Sequence, residues 1–151
     1  TTLAGILFEM SGKYKNGKKK ALELFESGEA EKKFREIIKQ QNGNLNITKN
    51  DISLGKFTKI FYAKQSGYVY SIDNDNMVEI SNTAGCPNDK KAGIELFKKI
   101  GDKVNKGDKL FKIYSECNFK LKNAIKVVNN PYEISNKKPK KIKMFLGFVG
   151  E

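Results

Sequence analysis

The sequence has no histidine, a single arginine (Arg35) and two cysteines, Cys86 and Cys117. Each scarcity excludes chemistry. Without histidine, a serine or cysteine nucleophile lacks its usual base. A zinc site would need four ligands drawn from cysteine and carboxylate alone. The cysteines are far apart, one of them beside Pro87, and form neither a CxxC pair nor a metal-ligand spacing. That usage fits a reducing cytoplasm. No apolar run is long enough to span a bilayer, so no membrane partner is expected. The opening residues TTLA lack the basic region of a signal peptide. A helix that begins at the first residue reads as a piece of something larger.

The near-absence of arginine also qualifies the charge. Lys and Arg number 29 against 17 Asp and Glu, giving +12 at pH 7 and a pI near 9.6. Such a balance raises nucleic acid as a partner. Base-reading and stacking surfaces lean on the guanidinium fork, however, and here the positive charge is lysine spread along the whole chain. A lysine-rich, histidine-free composition fits a thermophile or a biased genome better. At 151 residues the chain holds one ordinary domain, or a small domain with an appendage, and can bury a core without staples.

What is present centres on residues 92–115, AGIELFKKIGDKVNKGDKLFKIYS. This stretch predicts two strands joined by a tight connection. Gly93, Ile94, Leu96 and Ile100 belong to the first arm, and Leu110, Phe111, Ile113 and Tyr114 to the second. Gly101-Asp102 and Gly107-Asp108 each mark a turn, since glycine accepts positive φ and aspartate bonds its downstream backbone. Val104, the lone apolar residue between them, is expected to plug the end of a small barrel.

Upstream, Leu3, Ile6, Leu7 and Met10 fall at helical spacing. Ala21, Leu22, Leu24 and Phe25 form a second helical face, with Gly28 as its C′ cap. Ser27 is expected to cap a third helix carrying Ala30, Phe34, Ile37 and Ile38, which Gly43 ends. These helices hold too little apolar surface to close a core alone. Residues 44–55 are polar and turn-rich, a linker.

Beyond it, Phe57, Ile60, Phe61, Tyr62 and Ala63 read as a strand, and Tyr68, Val69, Tyr70 and Ile72 as another. Asp73 to Asp75 offer an N-cap for a helix carrying Met77, Val78, Ile80 and Ala84, closed by Gly85-Cys86-Pro87. A last helix places Phe119, Leu121, Ala124, Ile125 and Val128 inward. Pro131 stops it, and PYEI forms an edge strand. Residues 135–143 are a lysine-proline tail, and residues 144–149 an apolar final strand or docking segment.

The search for reactive groups is nearly empty. There is no phosphate-cradling glycine loop and no GxSxG elbow. Cys117 follows Glu116, which would raise its thiol pKa, and it reads as a buried helix-start residue. The pairs Asp73 with Asp75 and Glu29 with Glu31 sit at helix starts, where capping explains them. Asp89 reads as a loop charge. Tyr68 with Tyr70 and Phe57 with Phe61 read as core rather than as base-stacking platforms. The turn motif resembles biotinyl and lipoyl carrier domains. No turn that presents a modifiable lysine follows, so a carrier role is not expected.

Taken in order, several segments carry a fuller resemblance: LAGILFEMSGK, ALELFESGEAEKKFREIIKQQNGN, GKFTKIFYAKQSGYVYSIDN, AGCPNDKKAGIELFKKIGDKVNKGDKLFKIYSE and PYEI. From Leu3 to Ile134 the chain resembles the carboxy-terminal portion of the thymidine/pyrimidine-nucleoside phosphorylase family, in particular its archaeal branch acting on AMP. Bacterial relatives commonly carry histidine where Phe97 stands. The resemblance implies an α+β fold: an α/β-hammerhead domain of the barrel-sandwich type over residues 56–134, preceded over residues 1–43 by short helices of an all-helical domain. It implies a parent enzyme, a pentosyltransferase that phosphorolyses an N-glycosidic bond. Inorganic phosphate is the co-substrate and no cofactor is needed. An oxocarbenium-like transition state would be stabilised electrostatically, and an acid would protonate the leaving base.

The family's phosphate- and base-binding residues match no position here. No catalytic, cofactor-binding or metal-ligating residue is therefore assigned. The implied partners are upstream catalytic domains and a second copy. Phe57, Tyr68, Val69, Ile94, Leu96, Val104, Leu110, Phe111 and Ile113 are the expected core. The alternatives are a lysine-rich nucleic-acid-binding module, and an assembly module using residues 144–149.

Overall fold

The computed structural model describes residues 1–140 and 147. The expected final strand at 144–149 lies outside the described residues, Gly147 apart. The chain divides into two compact units, residues 1–52 and residues 53–151.

The first unit is three helices: α1 (Thr2–Met10), α2 (Gly17–Glu26) and α3 (Glu29–Gln40). Glycine costs a helix interior about 1 kcal/mol relative to alanine, so Gly5 inside α1 needs a reason. The reason is backbone contact. A Cβ on Gly5 would lie 2.6 Å from Lys18 Cα, and one on Gly17 would lie 1.9 Å from the Gly5 carbonyl oxygen. The α1–α2 pair therefore closes only because neither position has a side chain. Asn16 caps α2 by accepting from the Lys19 N–H at 3.1 Å, and the Gly17 N–H donates to Glu9 Oε1 at 2.8 Å.

Two caps differ from expectation. The residue that enters α3 is Gly28, left-handed at φ +79°, and no side chain caps that helix; Ser27 is instead the C-cap of α2. Only Ser27 and Gly28 separate the two helices, so Ser27 is used up ending the first. At the far end Asn42 takes the positive φ, +56°, while the Gly43 N–H reaches the Ile38 carbonyl at 2.8 Å. In residues 45–52, Thr48 and Asp51 form a reciprocal capping box around one 3-10 turn.

The described residues of the second unit form six strands in two antiparallel sheets and two helices. One sheet is ordered β1 (Phe57–Tyr62), β5 (Lys109–Ser115), β3 (Gly93–Leu96). The other is β4 (Lys103–Val104), β2 (Gly67–Ile72), β6 (Tyr132–Ser135). α4 (Asn74–Ala84) and α5 (Asn118–Lys126) complete the fold.

The central stretch departs from a plain two-strand unit. Its outer arms do pair, Leu96 opposite Phe111 and Gly93 opposite Tyr114. The middle residues Lys103 and Val104 leave for the other sheet, where Val104 faces Gly67. The successive runs β1 and β2 do not pair with each other. β1 joins β5, and β2 lies between β4 and β6.

The two Gly-Asp turns lace the sheets together. Each Asp N–H closes a turn onto the carbonyl three residues back, Lys99 or Asn105, at 3.0 Å. Each carboxylate accepts the N–H of that same residue, at 2.7 Å for Asp102 and 3.1 Å for Asp108. The side chains thus bond upstream, not downstream as expected. Gly101 and Gly107 supply φ of +91° and +92°, the position at which a type II turn selects glycine. Val69 exchanges two backbone bonds with the first turn, and Ala63 two with the second.

The core is Val69, Ile80, Val104, Phe111 and Ile113, with Leu110, Leu121 and Ala124 around them. Phe57 and Ile94 pack against it, and Tyr68 is half-buried. Leu96 does not belong to it: its side chain is 44% exposed at the end of the edge strand β3. Phe119, expected inward, is also outside, 71% exposed on the first turn of α5. A buried amide, Asn76, ties α4 to the end of α5. It donates to the Val127 carbonyl at 2.8 Å and accepts from the Asn129 N–H at 3.0 Å. Gly55 packs its backbone on Ser115, so the end of the expected linker belongs to this unit.

Candidate functional site

Three of the carboxylates singled out in the sequence, Asp73, Glu31 and Asp89, have structural partners, Glu31 an ion pair with Arg35 at 2.7 Å. Asp73 caps α4, accepting from the Asn76 N–H at 3.0 Å. Asp89 is held by Lys120 Nζ at 2.7 Å. Among the described residues no three His, Cys, Asp or Glu side chains are grouped to hold a metal ion.

Cys117 reverses the expectation made for it. It is exposed at the N-cap position of α5. There the backbone N–H groups of Lys120 and Phe119 pull its thiol pKa below the usual value. Helix-end donors facing the sulfur outweigh the effect expected of Glu116, which turns to the Lys91 N–H. No base or second thiol accompanies it, and a lone cysteine is not a site.

The described residues of the second unit include a groove of about 390 Å³ lined from β1, β5, β6 and α5. Its back wall is a stack of three rings. Phe61 of β1 lies on its cross-strand partner Phe111 of β5, centroids 4.6 Å apart and planes within 4°. Phe111 in turn stacks on Tyr132 of β6 at 5.8 Å and 3°, so the stack joins one sheet to the other. The Tyr132 hydroxyl donates to the carbonyl of Lys98 at 2.8 Å, and Leu110 O stands 3.3 Å away. Burial, aided by the Asp102 charge, pushes that phenol up to about 12. Ile125 of α5 and Val128, just past its end, also line it.

The mouth is polar. Lys64 Nζ donates to Asn130 Oδ1 at 2.9 Å, and Gln65 Nε2 donates to the Ile134 carbonyl at 2.8 Å. None of this was visible in the sequence, where Phe61, Phe111 and Tyr132 belong to three separate runs. The alternation of Phe57 with Phe61 marked an inward face, but not which strand it would meet.

No helix among the described residues is long and apolar enough to cross a membrane.

Comparison with known proteins gives the setting. Residues 68–135 match the family described as Pyrimidine nucleoside phosphorylase C-terminal domain. The chain is 42% identical to the AMP phosphorylase of Methanosarcina acetivorans over 150 residues, covering 97% of this chain and 30% of that protein. It is 45% identical to AMP phosphorylase 2 of Archaeoglobus fulgidus over 135 residues, 88% of this chain and 27% of the relative. It is 49% identical to the AMP phosphorylase of Thermococcus kodakarensis over 127 residues, 83% and 25% respectively. The chain thus spans less than a third of the length of these curated relatives, and corresponds to their carboxy-terminal part. Residues 68–135 thus match the pyrimidine nucleoside phosphorylase C-terminal domain, and most of the chain is similar to the carboxy-terminal part of archaeal AMP phosphorylases.

Proposed function

We propose that this chain is a supporting portion of an AMP phosphorylase, which converts AMP and phosphate to adenine and ribose 1,5-bisphosphate. The observation that carries the reading is the pairing of two facts. Identity of 42–49% runs through most of the chain, and the carboxylates of Asp73 and Asp89 are spent on a helix cap and an ion pair with Lys120. A domain of this kind contributes stability and position, and leaves the chemistry to other parts of the enzyme. Thymidine phosphorolysis is the second activity to measure, since the family name refers to pyrimidine nucleosides.

The helical unit favours the same reading. Leu3, Leu7 and Met10 form an exposed apolar stripe along α1, and exposed apolar stripes mark interaction faces. Upstream catalytic domains of the same polypeptide, and a second copy of it, are the proposed partners.

The test is phosphate-dependent release of adenine from AMP. This chain alone is compared with the same chain joined to the upstream sequence of its gene. Activity confined to the longer form is the expected result. Turnover by the 151-residue chain alone would overturn the supporting role.

A further inference from the structure

The groove lined by the aromatic stack is not used by the function proposed above. Its volume, about 390 Å³, falls in the range of ligand pockets. Its chemistry is divided. In its depth are Phe61, Leu110, Phe111 and the ring of Tyr132, whose hydroxyl is committed to backbone carbonyls. Among the described residues no buried side-chain polar atom lacks a partner. These four side chains therefore offer no free hydrogen-bonding group to the edge of a nucleobase, and accept an apolar body. At the mouth stands Lys64, whose amine meets only the neutral Asn130 amide in the described structure. An ammonium with a neutral partner gains by meeting an anion.

We infer that the groove binds a hydrophobic anion: an aromatic or aliphatic body lodged against the ring stack, with a carboxylate or sulfonate on Lys64. Both charged groups are the same chemistry for the amine, and the tests use one of each.

Two fluorescent probes separate the parts of this proposal in the full chain. Anilinonaphthalene sulfonate is the anion, and N-phenyl-1-naphthylamine is its neutral counterpart. Octanoate is the competitor. Wild-type protein is expected to bind the anion with Kd on the order of 100 μM or below, and octanoate to displace it. Lys64→Gln should weaken the anion about 5- to 10-fold, the scale of one charge-assisted contact, and leave the neutral probe within about twofold. Val128→Trp, which fills the groove, should abolish both. Lys64 is exposed, so its variant remains informative if Val128→Trp fails to fold. Absence of binding at 1 mM probe would overturn the proposal. Binding unchanged by either variant would place the probe elsewhere, for instance on the α1 stripe, and would also overturn it. Equal loss of both probes in Lys64→Gln would overturn the role of the charge.

Discussion

The two units are built on opposite plans. In the helical unit the buried described residues are Gly5, Gly17 and Ala21, so helices touch through backbone and the large apolar side chains face outward. In the second unit Val69, Ile80, Val104, Phe111 and Ile113 are sealed between two sheets and two helices. One unit is held by the absence of side chains, the other by their presence. The difference teaches where substitutions hurt: added atoms injure the first unit, and removed or charged atoms injure the second.

Several substitutions sharpen or break that contrast. The largest effect is expected from Val104→Asp, which buries a carboxylate at a fully enclosed position. A cost of about 4 kcal/mol or more should abolish the cooperative thermal transition of the second unit. An unchanged melting temperature would show that Val104 is not core. Gly17→Ala should come next. A methyl group 1.9 Å from the Gly5 carbonyl oxygen must part α1 from α2. Amide exchange of α1 should accelerate at least tenfold, with exchange in the second unit unchanged. A third unit-specific effect, about 1 kcal/mol, is expected of Tyr132→Phe, which deletes a half-buried hydrogen bond.

The same residue gives a pH signature. The folded phenol titrates at about 12, above the ordinary value of 10.0. The unfolded chain therefore releases this proton first. The contribution is fully present below pH 10 and is lost as pH rises through about 12. Denaturant titrations across that window should show a slope in the wild type that Tyr132→Phe lacks. The smallest effect is expected of Leu7→Lys, within about 0.5 kcal/mol in this chain because Leu7 is exposed. The same change in the proposed full-length enzyme should disturb assembly or activity. If it does not, the α1 stripe has no partner there.

Much of this was legible in the sequence, for local reasons. α1, the Asp73 cap of α4, both Gly-Asp turns and the PYEI edge strand depend on neighbours within a few residues, and their residue types announce them. Pairing was not legible. Nothing local tells Phe57 that it will meet Ser115 rather than the strand that follows it. The excursion of Val104 into the other sheet is equally silent, because two residues carry no periodicity. Leu96 and Phe119 were placed inward by spacing alone; each lies at the end of its element, where the packed face runs out. Cys117 was misjudged because its sequence neighbour Glu116 mattered less than the helix end it faces. The groove was invisible for the same reason as the pairing: its rings come from strands that meet only in three dimensions.

The lacing of the sheets has a consequence in time. β1 is completed by β5 and β2 by β6, so Tyr68, which meets Lys103 on one side, has both its partners only once Ser135 exists. Among the described residues no two successive strands pair with each other, and loop closure must precede most of the stabilising contacts. Folding of this unit should therefore be slow compared with helix formation in residues 1–40. During synthesis the aromatic run FTKIFY is made, and waits unpaired, while some fifty further residues are added. Lys59, in the middle of that run and exposed in the folded state, puts a charge where a bare strand would otherwise stick to its neighbours.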